Sequence, residues 1–410
     1  MMKLRDRAAF AFKALVDPDW IKKLATAAGW VYDSAAGMSV TAESAMRIST
    51  VNACVRIIAE TCASLPLDIY HRLVSGGREV SRTHPLYTVL HTRPNPWQTS
   101  FDWRVQLFTH LLLRGNYYAL ALDHGDMLVD DLIPMNPDTA KIEQLPDYSL
   151  RYTFTGKDGE ILGPFPRLGV SVLHVRGLSS DGIFGRSVIG DARESFGAAL
   201  ATQEYTGKYW QNGATPSGVI KIKSKLAKGQ ADLIREAWID DHGGAGNSNK
   251  VHVLGDDAAF EKISVTAEDA QFIETRRFQR ADIAGLFRVP MFLLQSDSNT
   301  ATYASAEQFM LSFVVHCIRP WIVNLEQALH RQLFSAPEWY FPEHNLDAIL
   351  RGDIKSRYEA YKLARDGGWL SKNEVRSKEN ENPLTDPAEN GDSHLSLAEI
   401  QNAKKKEAGL

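Results

Sequence analysis

Several short stretches place chemistry-bearing residues at suggestive spacings. Residues 243–251 read GGAGNSNKV. A glycine-rich turn ending in lysine can cradle a polyphosphate with its backbone N–H groups and one ammonium. That pattern needs Gly before the lysine and Ser or Thr after it, whereas Asn249 and Val251 flank Lys250. A solvated connector is the better reading. GRSVIG, around Ser187, has the wrong spacing for a nucleophile elbow. The 12 histidines form no HExxH or HxH pair, and none stands near Cys at zinc spacing. The carboxylate pairs Asp130-Asp131 and Asp240-Asp241 fall at loop-like positions and need no catalytic role. The RGD tripeptide at 351–353 reads as the approach to a helix, with Asp353 as its cap. No catalytic residue, metal ligand or cofactor site emerges.

Two basic groups and one polar loop are left. Lys221, Lys223 and Lys225 alternate in TPSGVIKIKSKL, so a strand there would put all three on one face. Arg276, Arg277 and Arg280 cluster within about one helical turn. Taken alone, such groups are usually a solvated strand face and an ion-paired helix surface, with Glu274 and Asp282 near the arginines. The loop is 295–302, QSDSNTAT. Gln295, Ser296, Asp297, Ser298, Asn299 and Thr300 offer hydrogen bonds with little fixed charge. They stand between an apolar run and a long helical pattern.

The scaffold for these groups is large. A chain of 410 residues can hold two or three domains. Hydrophobic content of 44% with 23% charged residues is that of a folded protein. A net charge of −4 argues against a tight, base-reading nucleic-acid binder but permits loose contact. Cys54 and Cys62 would lie roughly 12 Å apart along one helix, too far for a disulfide. With Cys317 they read as reduced, buried thiols. No run is long and apolar enough for a transmembrane helix. The basic, amphipathic residues 1–30 read as a surface helix or arm.

Along the chain, 41–65 has the period of one long helix stopped by Pro66. LPLDIYHRL alternates like a strand, and SGG turns the chain into REVS. A helix is expected over 100–114, closed by Gly115-Asn116, followed by the strand YYALAL and a strand in 169–178. A helix follows over 188–211. Residues 215–265 form a small α/β insertion with strands at TPSGVIKIKSKL and VHVL. The next helix, 266–289, ends at Pro290. After the polar loop comes about 32 residues of helical pattern, roughly 48 Å. Pro320 lies inside it and cannot donate to the His316 carbonyl, so a kink is expected. Gly367-Gly368 closes a further helix, and Ser371 with Glu374 forms a capping box. Residues from 383 onward read as a polar tail. The fold class is α+β.

The order of the segments LPLDIY, RGNYYALAL, LHVRGLSSDGIFGRSVI, YWQNGATPSGVI, FIETRRFQRADIAGLFRVPMFLL, YASAEQFMLSFVVHCIRPWIVNLEQAL, LRGDIKSRYEAY and GGWLSKNEVR resembles the portal proteins of tailed double-stranded DNA phages, of the siphophage and prophage type. The set spans about residues 65–376. The resemblance implies a portal-type α+β fold assembling as a ring, typically of twelve subunits. It implies an N-terminal arm (1–38), a wing (39–187), a first stem helix (188–214), a clip (215–265) and a second stem helix (266–290). A tunnel loop (291–302), a long kinked wing helix with its return segment (303–350), a crown (351–382) and a flexible tail (383–410) would follow. It implies a homo-oligomer without enzymatic activity or cofactor, located in the virion and, during assembly, in the host cytoplasm. Implied partners are double-stranded DNA without sequence specificity, the terminase large subunit, a head–tail adaptor and the major capsid or scaffold protein, with no membrane. Residues 295–300 would touch DNA at the tunnel, and the three arginines and three lysines would touch DNA or partners at stem and clip. Many relatives have Gly where this chain has Arg288. The alternatives are a minor capsid or adaptor protein without a channel and, further off, a phosphoryl-transfer or hydrolytic enzyme using Lys250.

Overall fold

The computed structural model describes residues 31–74, 76–123, 129–156, 159–167, 169–211, 218–222, 233, 258–262, 268–294, 303–346, 354–379, 381–385 and 391–394. The chain divides into two compact units, 1–300 with 312–344, and 301–311 with 345–410.

The larger unit opens with an antiparallel pair, β1 (Tyr32–Asp33) and β2 (Ser39–Val40). Next come α1 (Ala42–Met46) and α2 (Ser49–Ser64). The single long helix expected here is therefore two. Thr41 and Ser44 make a capping box on α1, with serine in the place usually held by Glu or Gln. Ile48 then leaves helical geometry at ψ 117° and buries its side chain. Apolar periodicity runs on across so short an interruption, which hides the break in the sequence. Leu65 is extended, as a residue before proline tends to be.

β3 (Leu67–Arg72) and β4 (Arg78–Val80) form the expected hairpin. The one-turn helix α3 (Pro85–Tyr87) and a π turn (Thr88–Thr92) precede α4 (Ser100–Arg114). α4 matches its expected bounds because both ends are set locally. Thr99 and Asp102 make a capping box, and Gly115 stops the helix at φ 73°. Its buried Trp103, Leu107, Phe108 and Leu111 pack against α2, whose Val51, Cys54, Val55, Ile58 and Cys62 face inward. Each such fully buried large side chain contributes roughly 1.5–3 kcal/mol, so this helix pair anchors the core. The cysteines are free and buried, as expected.

β5 (Asn116–Asp123) pairs with β6 (Val129–Met135). Asp130 and Asp131 thus lie in a strand, not in the loop expected for them, because β5 supplies a pairing edge that residue type alone does not reveal. β7 (Ala140–Gln144), β8 (Leu150–Thr155) and β9 (Ile161–Phe165) form a second antiparallel sheet. β10 (Val170–Arg176) returns to the other edge of β5. Tyr118 on β5 packs against Tyr152, Phe154 and Phe165 of the second sheet.

The helix expected over 188–211 is two pieces, α5 (Val188–Asp191) and α6 (Arg193–Gln211). Ala192 between them sits at φ −108° and ψ 27°. The pieces follow different neighbours. Ser187, the cap of α5, donates to the α4 carbonyl of Leu113 at 2.6 Å, while α6 packs along the helix α7 (Glu268–Leu286). Between them β11 (Gly218–Ile222) pairs with β12 (Ala258–Lys262), a strand that the residue pattern did not reveal. The VHVL strand expected at 251–254 lies outside the described residues.

A 3₁₀ turn (Met291–Leu294) follows α7. The long helical pattern becomes α8 (Tyr303–Phe313), a π turn (Val314–Ile318) and α9 (Arg319–Leu333). Pro320 thus makes the expected irregularity as a widened turn. The Arg319 N–H reaches back five residues to the Val314 carbonyl, and Pro320 falls in the first turn of α9. α9 packs on β10 and leads to β13 (Tyr340–His344). β13 joins β3 to complete a sheet of order β13–β3–β4.

The smaller unit holds α10 (Ile354–Asp366) and α11 (Lys372–Lys378). The expected Ser371–Glu374 capping box is present. Arg357 pairs with Glu379 at 2.9 Å, and the Tyr361 hydroxyl donates to the same carboxylate at 2.9 Å. Asp353 lies outside the described residues.

Candidate functional site

The feature that departs most from a packed α+β core is the helix pair α6–α7. Phe196 meets Phe287 with ring centroids 6.4 Å apart, and Gln279 Nε2 donates to Thr202 Oγ1 at 3.1 Å. These two pairings run in opposite chain directions, so the helices are antiparallel. Each has 19 residues, about 28 Å of helix. Their root is buried, with Phe196, Ala199 and Leu200 on α6, Ile283 and Ala284 on α7, and Phe287 just past the end of α7. Beyond the Thr202–Gln279 bond the side chains open to solvent. Tyr205 is 58% and Phe278 72% exposed.

A buried polar network fixes the loop that feeds this hairpin. Asn116 Nδ2 donates to the Gly185 carbonyl at 2.7 Å, and Asn116 Oδ1 accepts from the Gly185 N–H at 2.8 Å. The same oxygen lies 3.1 Å from His174 Nε2. His174 Nε2 therefore carries the proton, and Nδ1 accepts from the Tyr152 hydroxyl at 3.2 Å. Gln332 on α9 clamps the His174 backbone, accepting from its N–H at 2.8 Å and donating to its carbonyl at 2.9 Å. Within the loop, Asp181 accepts from the Ile183 and Phe184 N–H groups at 2.7 and 2.9 Å, which lowers its carboxyl pKa. Ser187, weighed in the sequence as a nucleophile and rejected, is occupied as a helix cap.

Burial holds His174 neutral, lowering its pKa to about 3, and lowers that of His110 to about 4. Burial also lowers the pKa of His344, outweighing the opposing effect of its hydrogen bond to the Glu326 carboxylate. The unfolded chain binds these protons near pH 6.5; the folded chain resists them. Stability is therefore full above about pH 6.5 and falls as the pH drops toward 4. Each resisted proton costs up to about 1.4 kcal/mol per pH unit. The urea midpoint at pH 5 is expected well below that at pH 7. An unchanged midpoint would contradict the neutral histidines.

At its C-terminal end α7 stops at Leu286, four residues before the expected stop at Pro290. The cause is a Schellman motif. The Arg288 N–H donates to the Gly285 carbonyl at 3.0 Å, and the Val289 N–H to the Ala284 carbonyl at 2.9 Å. Arg288 occupies the left-handed position, at φ 57°, where glycine is the usual residue. Its charge opposes the burial that raises the neighbouring Cys317 thiol to about 12.

The sequence-derived site residues fall as follows. Arg276, Arg277 and Arg280 are exposed on α7. At 100° per residue, Arg277 and Arg280 share one flank, and Glu274, Phe278 and Asp282 share the adjoining face. Lys221 lies in β11. Lys223, Lys225, Lys250 and the loop 295–302 lie outside the described residues. Among the described residues no group of three or more His, Cys, Asp or Glu is placed to hold a metal. Nor is any helix among them long and apolar enough to cross a membrane. Sequence reasoning missed the Asn116–His174–Gly185 network, whose members are 58 and 69 residues apart. It also missed the backbone geometry of Arg288.

Comparison with known proteins gives the class. The fold matches a crystal structure of an HK97-family phage portal protein from Corynebacterium diphtheriae, with TM-score 0.57 and 18% identity, covering 76% of this chain and 98% of that one. It also matches a chain in the neck of a native gene transfer agent particle computed with C12 symmetry, with TM-score 0.55 and 22% identity, covering 84% and 94%. The fold is thus of the portal type. In sequence, the family model described as phage portal protein matches residues 49–380. A probable portal protein of Streptomyces phage phiC31 is 34% identical over 86% of this chain and 79% of its own. The portal protein of Enterobacteria phage HK97 is 28% identical over 88% and 84%. The chain belongs to the phage portal protein family.

Proposed function

We propose that this chain forms a closed ring around a channel at one capsid vertex, through which double-stranded DNA enters during packaging and leaves on ejection. The observation that carries this reading is the α6–α7 hairpin, rooted in the core and bearing exposed Tyr205 and Phe278. A ring needs heterologous contacts, one face of each copy meeting a different face of the next. Aromatic side chains on a projecting helix pair are suited to that contact. The twelve-fold symmetry of the gene transfer agent neck supports a ring of twelve.

In this reading residues 39–187 are the wing, α5–α6 and α7 the stem, and 215–265, with the β11–β12 pair, the clip. The clip docks the terminase large subunit during packaging and a head–tail adaptor afterwards. Residues 291–302 are the tunnel loop, 303–350 the kinked wing helix and its return, and 351–382 the crown. Capsid or scaffold protein surrounds the ring as it assembles in the host cytoplasm. The chain has no catalysis of its own, and ATP hydrolysis belongs to the motor. Arg276, Arg277 and Arg280, with Lys221, Lys223 and Lys225, meet phosphates or partners at stem and clip. The DNA is contacted at its backbone without base reading. The loop residues Gln295, Ser296, Asp297, Ser298, Asn299 and Thr300 touch moving DNA through hydrogen bonds that hold it weakly.

Class averages of the purified protein viewed down its symmetry axis are expected to show a ring with a central hole. A strictly monomeric protein at every salt concentration would refute the reading. Deleting 295–302 is expected to leave the ring intact and to lower the yield of DNA-filled heads. Loss of the ring on deletion would make the loop structural.

A further inference from the structure

The left-handed arginine at the end of α7 is a residue that the fold alone does not explain. Position 288 is the C′ site of the Schellman motif, and an L side chain there is strained against its own backbone. Glycine would satisfy the same two hydrogen bonds without that strain. Arg288 is exposed, so burial of its side chain does not account for its presence.

A second observation concerns charge. Arg276 and Arg277 are exposed on the same helix. Among the described residues, Arg276, Arg277 and Arg288 have no carboxylate at salt-bridge distance. Two such guanidinium groups thus stand on α7, and a third, Arg288, stands just past its C-terminal end, seven residues before the polar loop. Guanidinium groups suit phosphate through paired N–H donors.

We infer that Arg288 keeps its strained backbone in exchange for a phosphate contact, placing a cationic collar on the duplex at the threshold of the tunnel loop. This inference rests on the channel reading above. It goes beyond that reading by naming a residue whose stability and function oppose each other.

The test uses assembled rings, a short labelled duplex of random sequence, and the variants Arg288→Gly and Arg288→Lys. Arg288→Gly is expected to raise the melting temperature by about 1–3 °C, as a relieved left-handed residue does in a large chain. It should also flatten the plot of log affinity against log salt by about 0.9 for each phosphate no longer neutralised. Arg288→Lys keeps charge and strain, so both the slope and the melting temperature should stay near the parent values. An unchanged slope in Arg288→Gly overturns the inference and leaves the channel reading standing. So does a lowered melting temperature, which would make the arginine a packing residue. Dissociation of the ring in Arg288→Gly assigns the charge to a neighbouring copy and overturns the phosphate contact. Parent rings that bind no duplex at any salt concentration overturn the channel reading itself and this inference with it.

Discussion

Gly185→Ala is expected to abolish folding of the larger unit. A methyl group on Gly185 would stand 1.9 Å from the Gly115 carbonyl oxygen and 2.8 Å from the Gly177 nitrogen. These are backbone atoms, so no side-chain rotation relieves the clash. The Gly177 N–H is itself bonded to the Gly115 oxygen at 2.7 Å. Moving the loop away would break both bonds between Asn116 and Gly185. Each buried group left unpaired costs about 1–3 kcal/mol. With the steric cost added, the loss exceeds about 4 kcal/mol, a large share of a typical domain's stability. Gly207→Ala is the control. That glycine lies within α6 with nothing near its Cβ position, and alanine there should stabilise by up to about 1 kcal/mol. Soluble yield and thermal melting of the two variants decide the matter. A well-folded Gly185→Ala protein would refute the close backbone approach.

The second large effect is expected at Arg104, which is 7% exposed. Its Nε donates to the Ser100 carbonyl at 3.2 Å, and Nη1 donates to the Leu65 carbonyl. Among the described residues it has no carboxylate at salt-bridge distance. Leu65 caps the C-terminal end of α2, where unpaired carbonyls make the helix electronegative. The guanidinium therefore sits where a cation is favoured, although burial lowers its pKa to about 10. Arg104→Ala removes both bonds and leaves a cavity at the α2–α4 interface, an expected loss of about 3–5 kcal/mol. Arg104→Met refills most of the volume and isolates the effect of the missing hydrogen bonds, an expected loss of about 1–3 kcal/mol. Urea titration of both variants measures the two contributions. Parent-like stability of Arg104→Met would show that the charge does not cap α2.

What could be read from the sequence follows from how local each determinant is. α4 was legible at both ends because Thr99, Asp102 and Gly115 act within one turn. The Ser371–Glu374 box was legible for the same reason. The breaks at Ile48 and Ala192 were not, because each residue answers to packing elsewhere in the chain. The end of α7 was misplaced because the rule for a helix stop looks for Gly or Pro, and here an arginine takes the glycine's geometry. β12 gave no signal because AAFEK has little strand propensity and depends on its partner β11. The α6–α7 pair was legible as helical segments on either side of an insertion. Its buried root and exposed end came only from the structure. The polar loop 295–302 stays a reading of residue types and family order.

The closing of the β13–β3–β4 sheet has a consequence for synthesis. β3 is complete at Arg72, and its second neighbour ends at His344. At about 5–20 residues per second, roughly 15–50 s separate the emergence of the two strands from the ribosome. For that interval one edge of β3 is open, a template for pairing with another nascent chain. The larger unit cannot finish folding during translation of its own first two-thirds. Such a delay favours early protection by chaperones, and it makes chains truncated before Tyr340 the aggregation-prone products of interrupted synthesis.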